Sequence, residues 1–204
     1  MDEQSERTAL LTALTTEHFV LQSARSAAVG EMVGRATIYM GAVSSALIAL
    51  RFLAQAVGRL APFVAAVLPA LFVLGELTFA ALLRNSIENL VLLGQMQRIR
   101  RYYRGLVPEA EEFFEISGAN APLAAAMGTI GLSAGPLRML FTGASMVAAI
   151  NSILGGAGLA LLAVRLGHLG DAAALAIGVA VAVIWFGLHL VYQQQRSIQV
   201  RPTD

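Results

Sequence analysis

Four long apolar stretches, at residues 36–57, 60–83, 140–164 and 172–192, alternate with polar segments of very unequal length. Each stretch holds about 20 residues or more, the length a helix needs to cross a hydrocarbon core of ~30 Å. Short turns join the first stretch to the second and the third to the fourth, whereas residues 84–139 separate the two pairs. This pattern predicts an all-α, polytopic membrane protein over 1–204. Its four transmembrane helices form two hairpins, and further helices lie in the cytoplasm or at the interface.

The polar segments have a pattern of their own. In residues 1–35, Leu10, Leu14, Leu21, Ala24 and Ala28 recur at helical spacing, with Thr15, His18, Gln22 and Arg25 on the other side. The chain has no proline before Pro62, so this helix is expected to run directly into the first span. The second span likewise continues past Arg84 to Arg104, where Gly105 and Pro108 stop it. Glu109, Glu111 and Glu112 then read as the acidic first turn of another helix. Residues 116–137 carry no charge but are broken by glycines and prolines, as in a re-entrant or interfacial segment. Residues 193–204 form a polar tail.

Charge orients the hairpins. All 14 basic residues are arginine, and only Arg51, Arg59 and Arg165 fall toward the two short turns. Under the positive-inside rule both termini and the middle loop are expected in the cytoplasm of a bacterial inner membrane. The acidic start, Asp2-Glu3, is unlike a cleavable signal peptide, so the first span is expected to act as its own insertion signal.

Composition excludes more than it identifies. The chain is 57% hydrophobic and 13% charged, and its 204 residues leave no room for a separate soluble catalytic domain of ordinary size. With no cysteine, disulfides and thiolate metal sites are excluded. A net charge of +1 argues against nucleic-acid binding. No metal-pair spacing, nucleophile elbow or phosphate-binding loop is present, so neither an enzyme nor a cofactor or metal site is expected.

Candidate chemistry centres on Glu76, about eight residues from the cytoplasmic end of the second span and therefore ~12 Å deep. An ionisable group at that depth suggests ion or proton handling, or a paired interhelical contact. Counting inward from the cytoplasm, the groups at its level are Tyr39 and Ser44 on the first span and Ser145 and Asn151 on the third. Glu76, Asn151 and Ser145 are therefore the expected polar contact or path. Arg98, Arg100, Arg101 and Arg104, interleaved with Tyr102 and Tyr103, are expected to dock anionic lipid or a cytoplasmic protein. Ala144, Ala148, Ser152, Gly156 and Ala160 set a small residue at every fourth position of the third span, a ladder that lets another helix approach closely. Ala174, Gly178 and Ala182 do the same on the fourth span. Trp185, Phe186, His189 and Tyr192 read as an aromatic belt. The spacing of Gly75 and Arg84 matches that of Gly187 and Arg196, a weak internal repeat that sets Glu76 against Leu188.

Glu17-His18-Phe19, Ser23-Ala24-Arg25 and the run Arg98 to Tyr103 resemble segments of four-span membrane proteins from GC-rich bacteria, a resemblance that implies no activity. In layout, a cytoplasmic helix feeding a two-span hairpin is similar to the SLATT-type membrane effectors, which implies an oligomeric pore opened by a trigger. The leading expectation is a homo-oligomer that forms or gates a permeation path. The alternatives are a non-catalytic scaffold or accessory subunit and a small proton-coupled exporter.

Overall fold

The computed structural model describes residues 2–55, 60–106, 109–113, 140 and 142–198. Among these, every regular element is a helix: α1 Glu3–Leu53, α2 Leu60–Arg104, α3 Ala110–Phe113, α4 Gly143–Gly167 and α5 Asp171–Ile198. Four of them, α1, α2, α4 and α5, are long and apolar enough to cross a membrane. The segment at 116–137 lies outside the described residues, as do Arg59, Arg138 and Arg201.

Local chemistry sets the helix ends. α1 and α2, with 51 and 45 residues, are each much longer than a ~20-residue span requires. α2 ends as the Gly105 N–H turns back to the carbonyls of Arg101 and Tyr102, at 3.2 and 3.1 Å. Arg101 and Arg104 stand in that last turn, where cations complement the helix dipole. Thr142 caps α4, its hydroxyl accepting the Ser145 N–H at 3.2 Å. The α4–α5 turn is three residues long, and His168 adopts the left-handed conformation (φ 51°) that ends α4. Asp171 then begins α5 at its positive end.

The chain divides into two compact units. The first comprises Met1–Glu31 and Asn85–Gly135, and the second Met32–Arg84 and Pro136–Asp204. In the first unit the early part of α1 runs antiparallel to the end of α2. Leu21, Met96 and Ile99 are buried between them, flanked by Leu14, Leu92 and Tyr103. Polar contacts close the two ends of this contact. The Thr15 and Tyr103 hydroxyls are 2.9 Å apart, and Arg25 Nε donates to Asn89 Oδ1 at 3.1 Å.

The second unit buries a set of polar groups and exposes many aliphatic ones. Leu47, Ile48, Val73, Leu77, Ile153, Val183, Ile184 and Leu188 are exposed, while Asn151, Ser145, Ser152, His189 and Gln193 are buried. Polar groups inside and aliphatic groups outside suit a hydrocarbon solvent. Small residues bring the helices together. A Cβ on Gly156 would run into the Gly178 carbonyl oxygen, and a Cβ on Gly178 would lie 2.7 Å from that of Gly156. α4 and α5 therefore cross with their backbones in contact. On another side of α4, a Cβ on Gly155 would come within 2.8 Å of the Phe72 ring, and one on Gly158 within 2.8 Å of Leu68. Both neighbours belong to α2, so α4 packs against α2 as well as α5.

Candidate functional site

Inside the second unit, four helices converge on the Glu76 carboxyl group. α4 supplies Asn151, whose Nδ2 donates to Glu76 Oε1 at 2.9 Å. α5 supplies Trp185, whose indole Nε1 donates to the same oxygen at 2.8 Å, and His189, whose Nε2 lies 3.1 Å from Oε2. α1 adds Tyr39, whose hydroxyl donates to Asn151 Oδ1 over 3.4 Å. Tyr39 and Asn151 are fully buried, whereas the Glu76 side chain is 34% exposed.

Backbone positions explain how the groups reach each other. Asn151 fits only because residue 75 is glycine: a Cβ there would collide with the Asn151 amide. Trp185 and His189 are four residues apart on α5, so they share a face and sit one turn above each other. Phe79 packs its ring edge-on to His189, with centroids 4.4 Å apart and planes at 86°, and Phe72 lies 5.9 Å from Trp185. Aromatic walls thus hold both α5 donors against the carboxyl group.

His189 bridges two oxygens. Its Nδ1 lies 2.9 Å from the Trp185 carbonyl oxygen, which can only accept, and its Nε2 lies 3.1 Å from Glu76 Oε2. The Nε2 contact is made either by an N–H donating to carboxylate or by a carboxylic O–H donating to imidazole. Glu76 Oε1 accepts two N–H bonds, from Asn151 and Trp185.

A second polar group stands beside Gln193, one helical turn beyond His189. Ser145 Oγ donates to Gln193 Oε1 at 3.0 Å, and Gln193 Nε2 donates to Thr142 Oγ1 at 3.0 Å. The Thr142 and Ser145 hydroxyls are 2.9 Å apart. Trp185, His189 and Gln193 thus form one polar stripe on α5 at four-residue spacing.

Of the three residues expected to act together, Glu76 and Asn151 meet, whereas Ser145 hydrogen-bonds to Gln193 and Thr142, nearer the start of α4. The belt reading separates: Tyr192 is exposed and stacks with Arg196, whose Cζ lies 5.4 Å from the ring centroid, while Trp185 and His189 turn inward to Glu76. The stripe at 185, 189 and 193 was the available signal for these two residues. In the small-residue ladder, Ala144, Ala148 and Ser152 are buried, and Gly156 and Ala160 meet Gly178 of α5. Of the arginines near the end of α2, Arg98 and Arg101 are exposed and Arg100 and Arg104 half-buried. His18 is half-buried with its Nδ1 covered and unpartnered, and no group of metal-ligating side chains occurs among the described residues. Compared with protein-family models, curated proteins and solved structures, the chain matches none of them.

Proposed function

We propose that this chain is a small proton-coupled membrane transporter in which the Glu76–His189 pair binds and releases the coupling proton. The observation that carries this reading is the placement of both His189 ring nitrogens opposite oxygen atoms, an arrangement that is complete when the pair shares one proton. Loss of that proton leaves one ring nitrogen as a lone pair facing an oxygen. The hold between α2 and α5 is then weakened at that level. Protonation would in this way bias the packing of two spans, which is what coupling requires. The Thr142–Ser145–Gln193 group, about 6 Å farther along α5, extends the polar stripe toward the helix end.

The arginine distribution supports a bacterial inner-membrane protein with both termini cytoplasmic, an orientation in which the Gln193 end of that stripe would face the cytoplasm. Four spans enclose little interior of their own, so the proposal includes a homo-oligomer that shares one path. Proton flux into proteoliposomes, followed with an entrapped pH-sensitive dye, tests the reading. Glu76→Gln and His189→Gln are each expected to lower flux by about tenfold or more, the scale of losing a positioned proton-transfer group. Flux equal to wild type in both variants would sink the proposal.

A further inference from the structure

Next to the Glu76 cluster lies an apolar groove of about 300 Å³, lined by Pro69 and Phe72 of α2, Gly155 and Leu159 of α4, and Val181 and Trp185 of α5. Its volume is at the small end of the range for ligand pockets. The groove and the polar cluster are in register. Phe72 stands four residues before Glu76, Gly155 four after Asn151, and Val181 and Trp185 eight and four before His189. On all three helices the groove therefore begins about one turn, ~6 Å, from the residue that belongs to the polar cluster. Trp185 belongs to both, its ring lining the groove and its N–H holding Glu76 Oε1.

We propose that this groove takes the apolar body of a lipophilic monocation whose charge sits at Glu76, so that binding displaces the proton shared with His189. The inference rests on the proton-binding reading above and names the substrate class for the same site. Charge complementarity selects this occupant. Glu76 is the one acidic side chain in the cluster and is partly open, and two aromatic side chains, Trp185 and Phe72, line the adjoining groove. The ionisable groups of the hydrogen-bond chain are Tyr39 from α1, Glu76 from α2 and His189 from α5, while α4 contributes the neutral Asn151. When a cation binds, one proton leaves the pair for bulk water and the net charge of the site is unchanged. A neutral hydrocarbon chain would fill the groove without drawing on the carboxylate.

Trp185 is the only tryptophan in the chain, so its emission reports on the site directly. The full chain in uncharged detergent is titrated first with acid alone and then with methyltriphenylphosphonium or its neutral analogue triphenylphosphine oxide. Acid alone is expected to shift the emission in wild type and not in Glu76→Gln; failure of this arm overturns the proton-binding reading. The phosphonium is expected to give a saturable change, with one proton released per cation bound. Its apparent Kd should rise about tenfold per pH unit on the acid side, the slope for one competing proton. Val181→Phe, which fills the groove, should weaken the cation by about tenfold or more. An acid-induced shift without saturable phosphonium binding would overturn this inference and leave the proton-binding reading intact. Equal binding of the neutral analogue, or an affinity independent of pH, would assign the groove to neutral apolar ligands instead.

Discussion

The two units of this chain hold their helices together differently. In the first, Leu21, Met96 and Ile99 are buried between two helices whose outer faces carry Thr12, Glu17, Arg98 and Arg101 beside Phe19 and Val20. In the second, Val43, Leu71, Phe79 and Val147 are buried as well, but many aliphatic side chains face outward, and glycine, alanine and a set of buried polar groups bring the helices together. Where water surrounds a helix, burying apolar area drives association. Where lipid surrounds it, that drive is absent, and close backbone contact and hydrogen bonds take its place.

Three substitutions test this contrast. Gly156→Leu should have the largest effect, because the Gly178 carbonyl stands where the new side chain must go. Overpacking costs roughly 1–3 kcal/mol even where side chains can yield, and here the obstacle is backbone. SDS-driven unfolding in mixed micelles should show the second unit lost at much lower SDS, and wild-type resistance would break the comparison. Leu21→Ala should cost about 2–3 kcal/mol, at the low end for a buried leucine because among the described residues its cluster is drawn from two helices. Its effect should be confined to the first unit, so hydrogen exchange should accelerate in residues 10–25 and 92–103 and stay unchanged in α4 and α5. A double-mutant cycle on Glu76→Gln and Asn151→Ala should give the smallest effect, a coupling of about 1 kcal/mol. A value near zero would mean that the cluster contributes nothing to holding the second unit together.

The sequence made some of this legible and hid the rest for definite reasons. Hydropathy and length are one-dimensional properties, so the four apolar helices could be read directly. Counting residues inward from the cytoplasmic ends yields depth, which was enough to set Asn151 at the level of Glu76. Depth says nothing about rotation around a helix axis. Nor is depth by counting exact: Ser145 is six residues, about 9 Å, nearer the start of α4 than Asn151, and its hydroxyl donates to Gln193. The missing rotation concealed Trp185 and His189, since aromatic residues near the end of a span ordinarily face the interface. The internal repeat had aligned Glu76 with Leu188, one residue from the true partner, and a single residue on a helix is a turn of about 100°. The four-residue spacing of Trp185, His189 and Gln193 held the missing rotational information.

Gly75 has a consequence for tracing kinship. An asparagine can reach this carboxyl group only past a residue with no side chain, so Gly75, Glu76 and Asn151 must be inherited or replaced together. Trp185 and His189 join the same set through their bonds to Glu76. Apolar spans drift freely among leucine, valine and alanine, which erases overall similarity long before function is lost. A glycine-glutamate pair in one span, an asparagine in another and Trp-x-x-x-His-x-x-x-Gln in a third would outlast that drift, and together they form a fingerprint by which distant cousins can be found.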